Sequence, residues 1–269
     1  MGYQILKGKK GIIFGALDES SIAWKVAEKC FDEGASFVLT NAPVAMRFGK
    51  IQELGTKCNA PVIPADATIT GELEELFRQS MEKLGGPLDF VLHSIGMSLN
   101  VRKNKPYTDL NHDFFLKTLD ISALSFHKVL QSAWKLDAMN EWGSVVALTY
   151  IAAQRTFPGY SEMAEAKAAL ESIARSFGYH YGRKRKVRVN TVSQSPTPTT
   201  AGSGIKGFSE FLQFAAKLSP LGNADAEECA NYCAMLFSDY SRKITMQNLF
   251  HDGGFSATGV SEDVMEMMK

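Results

Sequence analysis

Short apolar runs alternate with longer amphipathic stretches along this chain, and that alternation limits the folds it can adopt. The runs are apolar at every position, as in residues 145–148, which is typical of strands covered on both faces. Strands that alternate with helices are joined by right-handed crossovers and form a parallel sheet. The pattern therefore predicts an α/β fold: a single Rossmann-type, doubly wound, mostly parallel sheet with helices on both faces.

The same pattern predicts a seven-stranded sheet. The strands are predicted at residues 11–16, 36–41, 61–65, 88–96, 143–150, 187–193 and 244–251. The helices are predicted at residues 20–33, 44–56, 70–84, 111–137, 160–181 and 225–238. Because no linker, internal repeat or low-complexity tract interrupts the alternation, residues 1–269 are predicted to form a single domain.

Charge and hydropathy exclude two classes of partner. Lys and Arg together number 29, as do Asp and Glu, so the formal net charge is zero. A neutral chain lacks the attraction on which most nucleic-acid-binding proteins depend, and we interpret the basic run 182–186 as a solvated helix end. No apolar run could cross a bilayer, and residues 1–10 contain no apolar h-region. We expect a cytoplasmic protein that binds neither nucleic acid nor membrane.

The cysteines and histidines predict no metal site. Cys229 and Cys233 lie one helical turn apart in an apolar helix, with no other candidate ligand nearby in the sequence. We expect these two, with Cys30 and Cys58, to be free thiols in a reducing compartment. The five histidines, which we interpret as structural, do not cluster in the sequence: His93, His112, His127, His180 and His251.

The end of the first strand has features of a phosphate-binding turn. Gly15 allows the backbone to approach a pyrophosphate, and the unpaired N–H groups of the next helix can bind phosphate oxygens. Ser21 and Ile22 lie where that helix begins, and serine is a good N-cap. One glycine is a weak fingerprint, so an ordinary strand–turn–helix is the alternative.

The ends of later strands strengthen the case for a dinucleotide site, because ligands of doubly wound sheets bind beyond the carboxyl ends of the strands. Asp66 can accept a hydrogen bond from an adenine amino group, and Gly96 leaves room for a cofactor. The residues at these ends are Asp66 and Ala67, then Ser94, Ile95 and Gly96, then Tyr150, and then residues 193–197.

The end of the second strand bears on the choice of nicotinamide cofactor. An acid there would bind the ribose hydroxyls of NADH, whereas an arginine would pair with the 2′-phosphate of NADPH. Residues 40–43, among which Ala42 is a candidate contact, contain neither, and Arg47 comes several residues later. We expect NADH, with NADPH as the alternative.

The segment from Tyr150 to Lys167 resembles the active-site segment of the enoyl-[acyl-carrier-protein] reductases of type II fatty-acid synthesis, a divergent branch of the short-chain dehydrogenases and reductases. Its mark is a tyrosine, a second tyrosine ten residues on (Tyr160), and a lysine seven residues after that. Motifs along essentially the whole chain share the resemblance: Gly15 with 21–23, and residues 93–96, 120–122, 187–190, 203–206 and 252–255.

The resemblance implies an activity. Members of this family reduce the carbon–carbon double bond of trans-2-enoyl-acyl-carrier-protein thioesters by hydride transfer from a nicotinamide cofactor, during fatty-acid elongation. Carbonyl reducers of the superfamily place the catalytic tyrosine four residues before the lysine, where this chain has Met163. On a continuous helix, the seven-residue gap would place Tyr160 and Lys167 on one face, about 10 Å apart along the axis.

The resemblance also implies roles for individual residues. Tyr160 hydrogen-bonds the thioester oxygen and stabilises the enolate. Lys167 binds the nicotinamide ribose hydroxyls, and its charge is expected to lower the pKa of the tyrosine. Tyr150 lies beside the substrate, and Ser98 is a further candidate substrate contact.

One segment departs from the family pattern of a glycine, a proline and an aliphatic residue that packs on the nicotinamide. Ser195 stands in place of the glycine and Thr197 in place of the aliphatic residue. The threonines can still donate to the pyrophosphate and the carboxamide. The candidate cofactor contacts in this segment are Thr197, Pro198, Thr199, Thr200 and Ala201.

Residues 201–218 resemble the mobile substrate-binding loop and helix of the family. We therefore expect a substrate-binding lid near residues 197–218 of a single dinucleotide-binding and catalytic domain. The apolar side chains of this segment suit a lid over a lipid chain, with core packing as the alternative: Phe208, Phe211, Leu212 and Phe214.

The resemblance also implies partners. An acidic carrier protein should dock on a basic surface, yet only Lys206 and Lys217 lie in the lid segment, with Glu210 between them. The family is commonly a homotetramer, and we expect that assembly here.

Two rival functions stay open. A carbonyl or 3-ketoacyl reductase on the same fold would carry a lysine four residues after Tyr160, where this chain has Ala164. A non-catalytic dinucleotide-binding regulator would not need the tyrosine and lysine together.

Overall fold

Six strands form one parallel sheet in the computed structural model, which describes residues 2–200 and 207–268. Their order across the sheet is β2-β1-β3-β4-β5-β6. The strands are β1 (Lys10–Phe14), β2 (Ser36–Thr40), β3 (Leu88–His93), β4 (Met139–Thr149), β5 (Arg188–Gln194) and β6 (Asn248–His251). Every neighbouring pair is parallel, which confirms the predicted doubly wound sheet.

Helices cover both faces of this sheet. They are α1 (Ile22–Asp32), α2 (Pro43–Met46), α3 (Ile51–Lys57), α4 (Thr70–Leu84), α5 (Leu99–Arg102), α6 (His112–Leu119), α7 (Ser125–Lys135), α8 (Met163–Arg185), α9 (Phe208–Leu218), α10 (Ala226–Phe237) and α11 (Glu262–Glu266). None of the helices in the described ranges is both long and apolar enough to cross a membrane.

Alternation along the strands divides the core in two. Ile13 of β1 packs in a cluster with α1, α3 and α10, whereas Ile12 and Phe14 pack in a second cluster with α4, α7 and α8. Successive side chains of a strand point to opposite faces, so a run that is apolar at every position can supply both clusters. This is why the strands read as continuous apolar runs.

The prediction of a strand at residues 61–65, the third of the seven along the chain, is wrong. This segment runs beside β2, but it forms only an isolated parallel bridge between Val62 and Leu39. The N–H groups of Ile63 and Ala65 donate to Leu39 O and Asn41 O, but Pro61 has no N–H with which to extend the ladder toward the start of β2. The sheet therefore has six strands.

The predicted helix 44–56 is interrupted. It forms the short helices α2 and α3, separated by a turn in which the N–H of Lys50 donates to Leu17 O at 2.7 Å. Gly49 lies in this turn, and a Cβ atom there would come within 2.7 Å of Leu17. The turn is therefore held against the loop that follows β1.

The predicted helix 160–181 begins later than expected and ends later, since α8 spans Met163–Arg185. Gly159 and Ser161 have φ values of +86° and +53°, in the left-handed region, which breaks the helix before Met163. Tyr160 therefore lies in a turn, where its N–H donates to Phe157 O at 3.1 Å. The expected two-turn helical spacing between Tyr160 and Lys167 is wrong.

The predicted helix 111–137 is one continuous helical stretch with a defect in its centre. Residues 120–124 adopt a π-helical turn between α6 and α7. Such turns are rare and occur frequently at functional sites. This one directs Ser122 toward the start of α8, where its hydroxyl lies 3.6 Å from the sulfur of Met163.

Candidate active site

The backbones of the residues that follow β1 and β3 lie in close contact. Gly15 follows β1 with a φ of +94°, and a Cβ atom at this position would lie 2.0 Å from the carbonyl oxygen of Ser94, which follows β3. A side chain is therefore excluded at Gly15 both by the backbone conformation and by contact. The structure brings together these two predicted cofactor residues.

The loop between Gly15 and α1 uses its serines differently from the prediction. Ser21 is the N-cap residue of α1 by its backbone angles, but its hydroxyl makes no capping hydrogen bond. It donates instead to Asp18 O at 2.8 Å and accepts from Leu17 N at 3.3 Å. The expected side-chain cap is wrong, and α1 begins at Ile22 rather than at the predicted residue 20.

A cluster of hydrogen bonds joins this loop to the segment after β5. The carboxylate of Asp18 accepts from the hydroxyls of Ser20 and Thr200, each at 2.6 Å. The N–H of Thr200 also donates to Ser20 Oγ at 3.2 Å. β1 and β5 are not adjacent strands, so the contact spans the ends of β3 and β4. Sequence reasoning missed Asp18, because no motif signals a contact between residues so far apart.

At the end of β2, Asn41 ties two strand ends together. Its Nδ2 donates to Ala16 O at 3.1 Å, and its Oδ1 accepts from Ala42 N at 2.9 Å. Ala42 is thereby held beside the ends of β1 and β2. Neither a carboxylate nor an arginine stands in this short loop.

Asp66 and Ala67 follow the segment that runs beside β2. One carboxylate oxygen of Asp66 accepts from the N–H and the hydroxyl of Thr68, at 2.9 and 2.7 Å. Ala67 is buried. The role of Asp66 toward an adenine stays a prediction.

Lys167 is buried at the end of β4. Its ammonium donates to Leu148 O at 2.9 Å and lies 3.7 Å from the place that a Cβ atom would take at Gly96. Burial lowers the pKa of Lys167 to about 8, although the nearby carboxylate of Glu171 acts in the opposite direction. The glycine at position 96 therefore keeps a side chain away from this ammonium.

His93, at the end of β3, stays uncharged beside this ammonium. Burial and the charge of Lys167 lower the pKa of His93 to about 3. Its Nε2 lies 2.9 Å from Ser125 Oγ, and that hydroxyl also donates to Ile121 O at 2.6 Å. The imidazole therefore adds no second positive charge to the cleft.

Tyr160 and Tyr150 lie together. Their ring centroids are 5.1 Å apart, and the ring of Phe157 lies 5.4 Å from that of Tyr150. Burial raises the pKa of Tyr160, so the expected lowering by Lys167 is wrong. The pKa of Tyr150 is also raised, by burial and then by its neighbours Tyr160 and Asp252. Both phenols therefore keep their protons and can donate hydrogen bonds at neutral pH.

The described part of the lid segment, in helix α9, packs against this aromatic group. Phe211 of α9 packs edge-on against Phe157, with ring centroids 5.3 Å apart, and also contacts Phe255 at 6.1 Å. Phe214, on the same helix, is 40% exposed. Thus Phe211 takes part in packing, whereas Phe214 is available on the outer surface.

Ser195 occupies the family's glycine position without strain. Its side chain is buried, and its hydroxyl accepts from Ala224 N at 3.0 Å. Thr197 Oγ1 donates to Ser195 O at 2.9 Å, so this hydroxyl is used within the turn. Pro198, Thr199 and Thr200 continue the segment at the surface of the cleft, whereas Ala201 lies outside the described residues.

The hydroxyl of Ser98 has partners inside the protein. Ser98 is the N-cap of α5 and accepts from Val101 N at 3.0 Å, and it donates to the buried carboxylate of Glu162 at 2.6 Å. Sequence reasoning missed Glu162, because a glutamate before a helix is normally solvated. The role of Ser98 as a substrate contact stays a prediction.

Within residues 2–200 and 207–268, no group of three or more His, Cys, Asp or Glu side chains could hold a metal ion.

The sequence matches a family model and full-length relatives. The model of the family described as Enoyl-(Acyl carrier protein) reductase matches residues 15–256. The enoyl-[acyl-carrier-protein] reductase [NADH] 2 of Rhizobium meliloti (strain 1021) is 33% identical over 259 residues, which cover 95% of this chain and 94% of that protein. The enoyl-[acyl-carrier-protein] reductase [NADH] FabI of Bacillus subtilis (strain 168) is 31% identical, with 94% and 98% covered.

Solved structures share the fold. The FabI–NADH complex from Alistipes finegoldii superimposes with a TM-score of 0.98 at 62% identity, covering 99% of this chain and 94% of that chain. The enoyl-[acyl-carrier-protein] reductase (NADH) of Aquifex aeolicus VF5 superimposes with a TM-score of 0.87 at 29% identity, with 95% and 99% covered.

The contact at Gly15 yields a stability prediction. Gly15→Ala should destabilise the protein more than Gly8→Ala does. Both residues have positive φ, which costs about 1–2 kcal/mol for alanine, but Gly8 has no atom within 4 Å of a Cβ position. At Gly15 the clash with Ser94 should add about 1–3 kcal/mol. The free energy of unfolding in urea measures both variants, and equal losses would show that the two strand ends do not touch.

Proposed function

The chain belongs to the enoyl-(acyl carrier protein) reductase family, and we propose that it reduces the carbon–carbon double bond of trans-2-enoyl-acyl-carrier-protein thioesters with NADH, in fatty-acid elongation. One observation carries the assignment of the chemistry. A buried ammonium lies beside the side-chain-free position at Gly96, and the protonated phenols of Tyr150 and Tyr160 lie together in an aromatic cluster. The first group suits a cofactor and the second suits an acyl thioester.

The residues at the strand ends fit a dinucleotide. Backbone contact between Gly15 and Ser94 leaves no side chains in the path of a pyrophosphate, and Gly96 leaves the face of Lys167 free. When bound there, NADH supplies the hydride. Lys167 would donate hydrogen bonds to the ribose hydroxyls, since its ammonium has three donors and Leu148 O uses one of them. NADH rather than NADPH is the cofactor, as the names of the relatives have it.

Tyr160 would stabilise the negative charge that develops on the substrate. In an enoyl thioester the hydride enters the β-carbon, and the charge builds up on the thioester oxygen, two carbons away. A neutral phenol can donate a hydrogen bond to that oxygen, and its raised pKa keeps the proton on it. Such a donor acts in the transition state, so it contributes to turnover rather than to substrate binding.

Tyr150 and its aromatic neighbours would line the acyl side of the pocket. The rings of Tyr150, Phe157, Phe211 and Phe255 pack in sequence from β4 to α9. Apolar walls of this kind suit a hydrocarbon chain, and Tyr150 adds one polar hydroxyl for orientation.

The surroundings of Met163 argue against the rival carbonyl reductase. Met163 occupies the position four residues before Lys167, and its methyl lies 3.4 Å from the Cβ position of Gly96. A thioether cannot supply the proton that a carbonyl oxygen needs. The paired phenol and ammonium also have no purpose in a non-catalytic regulator.

We further propose an acyl carrier protein as the donor of the substrate, a homotetrameric assembly and a cytoplasmic location. Support for the first two comes from the family alone. The location is supported by the four cysteines, which are all free and buried, as is usual in reducing compartments.

Loss of the phenol should reduce turnover strongly. Tyr160→Phe should lower kcat with an enoyl thioester by about 100-fold or more, because one oxyanion donor contributes roughly that factor. The dissociation constant of NADH should stay within about twofold. Stopped-flow or steady-state absorbance of NADH oxidation measures the rate, and fluorescence titration measures binding.

A matched control is Tyr181→Phe. This tyrosine lies in α8, and its hydroxyl donates to Leu130 O at 2.9 Å, far from the aromatic pocket. Tyr181→Phe should lower stability and leave kcat unchanged. Near-wild-type kcat in Tyr160→Phe would rule out the oxyanion role.

Affinity for NADH should depend on pH through Lys167. The free enzyme loses the ammonium proton as pH rises through about 8, so the dissociation constant should increase above that pH, by at most about tenfold per pH unit. Lys167→Met should bind NADH weakly at every pH, without this rise. Titrations from about pH 6.5 to about pH 9.5 bracket that pKa and test both variants. An affinity that is independent of pH in the wild-type protein would remove the ribose-binding assignment.

A further inference from the structure

Glu162 is a buried carboxylate two residues after the proposed oxyanion donor. Its side chain is 0% exposed. One oxygen, Oε1, accepts from the hydroxyls of Ser98 at 2.6 Å and Thr118 at 2.7 Å. The other oxygen, Oε2, has no hydrogen-bond partner among the described residues. A buried carboxylate is costly, so its retention at this place calls for a physical explanation.

The surroundings keep this carboxylate ionised. Burial raises the pKa of Glu162, but the hydroxyls of Ser98 and Thr118, with smaller contributions from its own backbone N–H and the hydroxyl of Ser161, outweigh burial and hold the pKa below its ordinary value. Glu162 is also the N-cap residue of α8, a 23-residue helix, where the helix dipole favours negative charge. The charge therefore persists without a cationic partner being required.

The backbone beside Glu162 needs an anchor. Gly159 and Ser161, on either side of Tyr160, both have positive φ. A left-handed conformation costs about 1–2 kcal/mol for a residue with a Cβ atom, so the turn would relax unless something held it. Glu162 joins this turn by hydrogen bonds to Ser98 and Thr118, on two other elements.

The anchor reaches two other elements. Ser98 begins α5 just after the end of β3, and Thr118 lies in the last turn of α6. The next residue, Met163, is linked to the same part of the protein. Ser122 Oγ lies 3.6 Å from its sulfur and accepts from Met97 N, the residue before Ser98, at 3.0 Å. Two successive residues thus attach the start of α8 to the segment that follows Gly96.

We propose that Glu162 is a positioning residue for the reduction: through Ser98 and Thr118 it holds the turn that carries Tyr160, and so fixes the phenol where the oxyanion develops. This inference rests on the proposed function. Lys167 is attached independently, through Leu148 O, so cofactor binding does not depend on Glu162. Disturbing the anchor should therefore lower kcat and leave the affinity for NADH alone.

The first test compares Glu162→Gln with Glu165→Gln. Both remove one negative charge from the start of α8, but Glu165 bonds to the exposed Tyr107 and touches neither Ser98 nor Thr118. In Glu162→Gln the side chain keeps its size, yet the amide is a weaker acceptor and puts an NH₂ group into a buried place. We expect Glu162→Gln to lower kcat about tenfold, with the dissociation constant of NADH within about twofold, and Glu165→Gln to retain both values.

The second test uses Thr118, in case Glu162→Gln does not fold. Thr118→Val removes the hydroxyl at constant shape, whereas Thr118→Ser retains it. Thr118 has one hydrogen shared between Glu162 Oε1 and Phe114 O, which lies 2.9 Å away, so Thr118→Val should lower kcat by only a few-fold. Thr118→Ser should restore it. In the double variant Glu162→Gln/Thr118→Val, kcat should fall by less than the product of the two single reductions, since both substitutions act through the same hydrogen bonds.

Amide hydrogen exchange separates this inference from the proposed function. Peptides that cover residues 157–163 should exchange faster in Glu162→Gln than in the wild-type protein and Glu165→Gln, with no enoyl substrate present. Unchanged exchange, or a kcat that falls equally in both glutamine variants, would overturn the positioning role. A wild-type protein without turnover would refute the proposed function instead, and the exchange result would still decide whether Glu162 anchors the turn.

Discussion

The site depends on one buried cation, the ammonium of Lys167. Removing a charge from water is expensive, and the protein offsets that cost with the carbonyl of Leu148 at 2.9 Å and the carboxylate of Glu171 one turn along α8. Glu171 is itself held by Thr149 and Gln154, at 2.9 and 3.1 Å. The end of β4, the first turns of α8 and the loop after β4 are therefore joined through two charged side chains, Lys167 and Glu171.

Neighbouring groups place neither a second cation nor a carboxylate directly against this ammonium. His93 remains neutral because burial and Lys167 both oppose its protonation. Gly96 presents no side chain, so no Cβ atom is placed against the ammonium. Glu162 carries a negative charge close to the start of the same helix, but its hydrogen bonds to two hydroxyls keep it paired with α5 and α6. In this arrangement a ribose, rather than a protein carboxylate, can complete the hydrogen bonds of the lysine.

The lysine and the tyrosine are positioned by different means. Lys167 lies inside a regular helix, whereas Tyr160 lies in a turn with two left-handed residues. A turn can place a phenol off the axis of the helix, at a distance that helical spacing alone does not provide. This separation suits a reaction in which the hydride enters the β-carbon while the negative charge builds up on the thioester oxygen. It also explains why burial, rather than the charge of Lys167, controls the pKa of Tyr160.

The sequence by itself determined the parallel sheet, its helices on both faces, the strand ends that carry the predicted cofactor residues and the Tyr–Lys signature, because hydrophobic periodicity and glycine positions are local properties. It could not show that residues 61–65 fail as a strand, that α8 begins at Met163, or that Ser195 is accommodated by Ala224 N. Those outcomes depend on partners distant in the chain. Only the tertiary structure decided that Asp18 meets Thr200 and that Glu162 is buried against Ser98 and Thr118, since a carboxylate has the same local signature whether water or two hydroxyls solvate it.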